Sequence, residues 1–166
     1  MLTNEEARYL IGLPKLLKDS DFVVDLGHKK NRIELISPDE PEQEFFIELT
    51  SNGKILLKTS IHHQETTFNV GLLRIDFKGT HINPDHEIPS LPEFLKKYRN
   101  KYFRPDESHI HIYVEGYKPL VWAVPLSDYD FAVKSINQNE DLIELLYKFG
   151  DKINLQTRIN IKPSLF

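Results

Sequence analysis

Several short runs of the chain alternate apolar and polar residues, and that period of two marks strands with one buried face. It predicts strands over residues 31–36, 44–50, 54–61, 68–77, 109–115 and 121–126. The connections as far as residue 77 are too short for crossover helices, so successive strands pair antiparallel. Pro38-Asp39-Glu40-Pro41 separates the first two runs, Asn52-Gly53 supplies a type I′ turn after the second, and a looser turn is expected near His63-Gln64-Glu65. Lys152–Ile161 alternates once more and offers a final strand.

A helical period takes over at the two ends. Thr3 and Glu6 form a capping box ahead of Ala7, Leu10 and Ile11, and Pro14 restarts a turn through Leu16 and Leu17, giving a kinked helix over 4–18. Asn139-Glu140-Asp141 caps an amphipathic helix over 140–149 that stops at Gly150. The stretch 79–108, rich in Pro, Lys, Arg and Tyr, reads as a long ordered loop with a short helix. The fold class is therefore α+β: a meander-rich antiparallel sheet flanked by N-terminal and C-terminal helices, in a single domain over 1–166.

Composition narrows the function classes. A hydrophobic content of 40% over 166 residues sustains a buried core and excludes intrinsic disorder. Without Cys there is no disulfide framework and no thiol chemistry. The longest apolar runs fall short of a membrane span and the chain starts acidic, so a cytoplasmic protein with no membrane partner is expected. The net charge of −4 argues against wrapping a polyanion, while leaving room for a local basic patch.

The chemistry concentrates between residues 74 and 115. In His109-Ile110-His111-Ile112-Tyr113-Val114-Glu115 the alternation sends His109, His111, Tyr113 and Glu115 to one face. In Leu72–Phe77 it sorts Arg74 and Asp76 likewise, so if the two strands are neighbours six polar side chains share a solvent-accessible cleft. His81 and Asn83 join from the loop, and His62 or His63 lies within reach of that face. Histidine titrates near neutral pH, which makes the His-x-His pair the sharpest signal. Lys96, Lys97, Arg99, Lys101 and Arg104, interleaved with Tyr98, Tyr102 and Phe103, have the composition of a single-stranded nucleic acid groove.

Arg74-x-Asp76, His81-x-Asn83, His109-x-His111-x-Tyr113-x-Glu115 and Trp122-Ala123-x-Pro125, all within residues 70–126, resemble an uncharacterised bacterial family of small proteins carried with mobile elements. The order Arg-x-Asp, His, His-x-His is also similar to the TumE-like toxins of toxin–antitoxin modules. The resemblance implies a site at these residues.

Three readings follow. In the first, a metal-independent ribonuclease, His109 and His111 are acid and base, Arg74 stabilises the phosphate charge, and Asp76 or Glu115 fixes a tautomer. Tyr113 positions the substrate, and His81, Asn83 and the basic segment hold the RNA. No cofactor is then required, and a cognate antitoxin is the expected protein partner. In the second, His109-x-His111 followed by Glu115, similar to part of a cupin metal motif, holds a divalent metal ion. In the third, the chain is a non-enzymatic binding protein that regulates another protein.

Overall fold

The structure, a computed structural model, describes residues 1–51 and 58–162. It is α+β, as the alternation predicts. Helix α1 (Asn4–Gly12) is closed by the Thr3–Glu6 capping box. Short strands β1 (Leu16–Leu17) and β2 (Val23–Asp25) follow, then the meander β3 (Lys30–Ile36), β4 (Glu44–Ser51), β5 (Thr59–Glu65) and β6 (Val70–Phe77). A segment with β7 (His81–Ile82), a 3₁₀ turn (Glu93–Tyr98) and β8 (Tyr102–Phe103) precedes β9 (His109–Ile112), β10 (Trp122–Pro125), helix α2 (Asn139–Lys152) and β11 (Asn160–Lys162). Seven strands form one antiparallel sheet in the order β1-β3-β4-β5-β6-β9-β10; β2 with β11 and β7 with β8 form two small ribbons, the first parallel.

One face of the sheet carries Ile33, Leu35, Ile47, Leu49, Ile61, Leu73, Ile75, Ile110, Trp122 and Val124, which share one core with Ala7 and Leu10 of α1 and Leu142, Leu145, Leu146 and Phe149 of α2. Burying these large apolar side chains, at roughly 1.5–3 kcal/mol each, is what holds the helices to this face. The opposite face is mainly polar across β3 to β6, with Phe46 packed against Arg32 and His62, and the 79–108 segment folds over its β9–β10 end.

Local expectations were corrected in five places. The N-terminal helix stops at Gly12, and Leu16–Leu17 is instead a strand paired with Leu35 and Ile36. Pro14 cannot continue the helix. The buried Lys15 ammonium sits 2.8–2.9 Å from the carbonyls of Leu10, Ile11 and Leu13, which helix ends leave unpaired, and from that of Ile153.

His63–Glu65 is strand rather than turn, because both ends of that tripeptide are buried. The His63 ring stacks on Phe45 at 5.4 Å, Glu65 accepts from the backbone N–H groups of Thr67 and Phe68, and a bulge after His63 absorbs the change of register. The expected Asn52-Gly53 turn and the first residues of its following strand lie outside the described residues.

Strand β9 ends at Ile112 instead of Glu115, since the chain beyond it binds α1. Helix α2 runs past Gly150 to Lys152 and is closed by Asn154, whose φ of 61° turns the chain so that Leu155 N–H donates back to the Gly150 carbonyl at 2.8 Å. The final strand is confined to Asn160–Lys162, pairing with β2, which the alternation did not reveal. Among the described residues no helix is long and apolar enough to cross a membrane.

Candidate metal centre

The register of β6 against β9 places Arg74 opposite His111 and Asp76 opposite His109, with Ile75 opposite Ile110 on the other face. The polar members of the two strands therefore meet, as the alternation requires of neighbours. The same row continues through His62 on β5, Glu48 on β4 and Arg32 on β3. His62 thus shares the face, whereas His63 points into the core.

Both histidines of the pair are fully buried. The expectation of a solvated face holds for the half-buried Arg74 and Asp76 and fails for the imidazoles, because the 79–108 segment covers them. Phe103 packs on His109 at 4.6 Å between ring centres, and His81 packs on His111 at 4.6 Å. His81 Nε2–H donates to the Val121 carbonyl at 2.8 Å, and the Asn83 carboxamide pairs with the N–H and C=O of Ala123, both at 2.8 Å. Asn83 acts there as one residue of an extra strand and closes the open edge of β10.

The tautomers follow from the partners. His109 Nδ1 lies 2.8 Å from the Glu107 carbonyl and His111 Nδ1 lies 2.8 Å from the Leu120 carbonyl. A carbonyl only accepts, so each Nδ1 carries the proton and each neutral ring turns the lone pair of Nε2 inward. Both lone pairs face one carboxylate oxygen: Asp76 Oδ2 is 3.0 Å from His111 Nε2 and 3.8 Å from His109 Nε2. Among the described residues His109 Nε2 has no hydrogen-bond partner. The three donor atoms lie within 4.8 Å of one another.

Protonation does not relieve this convergence. Burial pushes His111 down to about 4, with the Arg74 charge acting in the same sense against the pull of Asp76, and burial also lowers His109. For Asp76 burial acts upward, but the His111 contact, the Arg74 charge and the Ser60 hydroxyl outweigh it and hold the carboxyl well below the usual range. Two neutral imidazoles and a carboxylate at neutral pH present three lone-pair donors to one point. Arg74 supplies the local positive charge, donating from Nε to Asp76 Oδ2 at 3.1 Å and from Nη2 to His111 Nε2 at 3.0 Å.

Other expected site residues lie elsewhere. Tyr113 donates to the Leu2 carbonyl at 2.7 Å, while Glu115 exchanges hydrogen bonds with Asn4, so both tie the chain after β9 to the N-terminal residues at the start of α1 rather than joining the cluster. The basic segment is neutralised by neighbours: Lys96 pairs with Glu93, Arg99 with Glu87, Lys101 with Glu107 and Arg104 with Asp106, and Lys97 lies over the Tyr98 ring. Sequence reasoning missed Ser60, whose hydroxyl donates to Asp76 Oδ1 at 2.8 Å, and the carbonyl of Leu120, aimed at His111 from a backbone with φ of 60°. A left-handed leucine costs about 1 kcal/mol or more and leaves no mark in an apolar pattern.

The model of a family of unknown function, DUF6978, matches residues 2–155. The chain belongs to this family. DUF6978 carries no assigned activity, so the centre has to be interpreted from its own chemistry; the match agrees with the expectation of an uncharacterised family. No curated protein and no solved structure matches the chain.

Proposed function

We propose that Asp76, His109 and His111 bind one divalent transition-metal ion, and that the protein is a metal-dependent enzyme of hydrolytic type. The observation that carries this is the convergence of two tautomer-fixed Nε2 lone pairs on the Asp76 carboxylate, one of them buried and without a hydrogen-bond partner among the described residues. Backbone carbonyls hold the far nitrogens as they do in metal-bound histidines, where the outer hydrogen bond sets the tautomer and raises the basicity of the ligand. A two-imidazole, one-carboxylate set suits zinc, iron or manganese, and three protein ligands leave positions open, which is the pattern of catalytic rather than structural sites. Bound there, the ion would polarise a substrate oxygen or lower the pKa of a water. With His111 Nε2 engaged as a ligand, Arg74 Nη2 would be released from it and would be placed to meet a substrate anion.

Metal-independent cleavage of RNA, and with it a toxin role with a cognate antitoxin, draws less support. Its acid and base would be two buried imidazoles, neither of which holds a proton on Nε2 at neutral pH, and the basic segment meant for the RNA backbone is already paired with acids.

Elemental analysis of the purified protein, followed by titration of chelator-treated protein with Zn²⁺ and Co²⁺, tests the reading. An equimolar ion is expected, lost in His109→Gln and His111→Gln. A wild type that takes up neither ion, or RNA cleavage that persists in chelator, overturns it.

A further inference from the structure

The centre opens toward solvent at Asp76. Its histidines are sealed, and Asp76, about one-fifth exposed, leads into a cleft of about 530 Å³ at the end of the sheet. Lys29, Lys58, Ser60, Gly79 and Thr80 are among the residues lining it. Asp76 is the one acid among the described lining residues, and Arg74 already neutralises it. Most cations near the sheet are paired: Lys18 with Glu44, Lys30 with Glu48, Arg74 with Asp76, and four of the five in the basic segment with acids. Lys29 and Lys58 have no ion pair among the described residues. Two uncompensated ammonium groups and several hydroxyls around one cleft form an environment for an anion rich in acceptor oxygens.

Gly79 lines this cleft beside the centre. A Cβ there would lie 3.5 Å from Asp76 Cβ and 3.9 Å from His109 Cε1, so a larger side chain at this position would narrow the cleft against the ligands.

We infer that the cleft binds the phosphoryl group of a small phosphorylated substrate, held by Lys29 and Lys58 with one oxygen directed at the ion on Asp76, His109 and His111. This rests on the metal reading and names the substrate class of that centre. The volume suits a small molecule. A polynucleotide would need a continuing basic track, and the segment that could supply one is neutralised.

The test is calorimetric titration of inorganic phosphate, phenyl phosphate and a single-stranded RNA oligonucleotide into zinc-loaded and chelator-treated protein. The wild type should bind both phosphates. Lys29→Gln/Lys58→Gln should weaken that binding about tenfold, equivalent to about 1.4 kcal/mol, with its zinc stoichiometry intact. Gly79→Val should weaken it also while keeping the metal. Phosphate affinity unchanged in the lysine variant, no phosphate binding by the wild type, or an oligonucleotide bound more tightly than phenyl phosphate would each overturn the assignment. Lysine-dependent phosphate binding by protein that takes up no metal would keep the cleft and remove the metal reading alone.

Discussion

Arg74 is the cation already present at the centre, and its removal separates two roles for the cluster. Arg74→Met takes away a positive charge and the donor on His111 Nε2, so zinc affinity of chelator-treated protein should rise about tenfold while the metal-free protein melts earlier, by the loss of charged hydrogen bonds worth about 1.5–3 kcal/mol each. A fall in zinc affinity would show that Arg74 builds the site instead of competing for it. His63 yields a second prediction, independent of the centre. Its ring is wholly buried on Phe45, its Nδ1 donates to the Phe46 carbonyl, and burial, then the nearby Lys15 charge, holds its pKa well below 6.5. The folded ring stays neutral while the unfolded one takes up a proton below pH 6.5, so this contribution is complete above that pH and is lost as pH falls, at about 1.4 kcal/mol per unit. His63→Phe should flatten the acid limb of a stability–pH curve by that slope; parallel wild-type and variant curves below pH 6.5 would contradict it.

Among the elements, the 79–108 segment decides what the histidines can do. It holds no long strand or helix, and is fixed largely by single side chains, Asn83 above all: its amide meets Ala123 twice and the Tyr98 carbonyl once. Asn83→Ala leaves buried backbone groups of β10 unpaired and should cost about 2–3 kcal/mol. Hydrogen exchange should quicken at the Ala123 amide before the β3–β5 amides respond; uniform acceleration across the sheet would mean that the segment and the sheet unfold together. The other joint is Lys15, which ties the end of α1 to the end of α2 through the Ile153 carbonyl. Lys15→Met keeps the length and the apolar stem but strands four buried carbonyls, and a loss of about 3 kcal/mol in urea unfolding is expected.

For the molecule as a whole, an ion that binds only the folded chain adds stability by mass action. At one hundred times its dissociation constant that is about 2.7 kcal/mol, or about 5–10 °C in melting temperature for a chain of this size. Differential scanning calorimetry with and without zinc should show it, and His111→Gln should abolish the shift while the Lys29→Gln/Lys58→Gln variant keeps it. A shift that survives in His111→Gln would place the ion elsewhere.

Local patterning alone set the main strands from β3 to β10 and the faces they present, though not β1 or the end of β5. Period-two alternation is a local property of extended backbone, so Ile110 and Ile112 against His109 and His111, or Ile75 against Arg74 and Asp76, sort correctly before any partner strand is known. The Thr3–Glu6 capping box placed the start of α1, and amphipathic spacing placed the body of α2, for the same reason, since each acts within a turn or two of helix. Three things waited on the tertiary structure. The pairing of Asp76 with His109 joins residues more than thirty apart, and their register depends on the path of the whole intervening segment. The exclusion of Tyr113 and Glu115 came from Leu2 and Asn4 at the start of the chain, which hold the residues after Ile112 out of the ladder. The burial of the histidines, which makes them neutral lone-pair donors rather than an acid and a base, came from what folds over them: a polar face looks the same in sequence whether water or Phe103 lies against it.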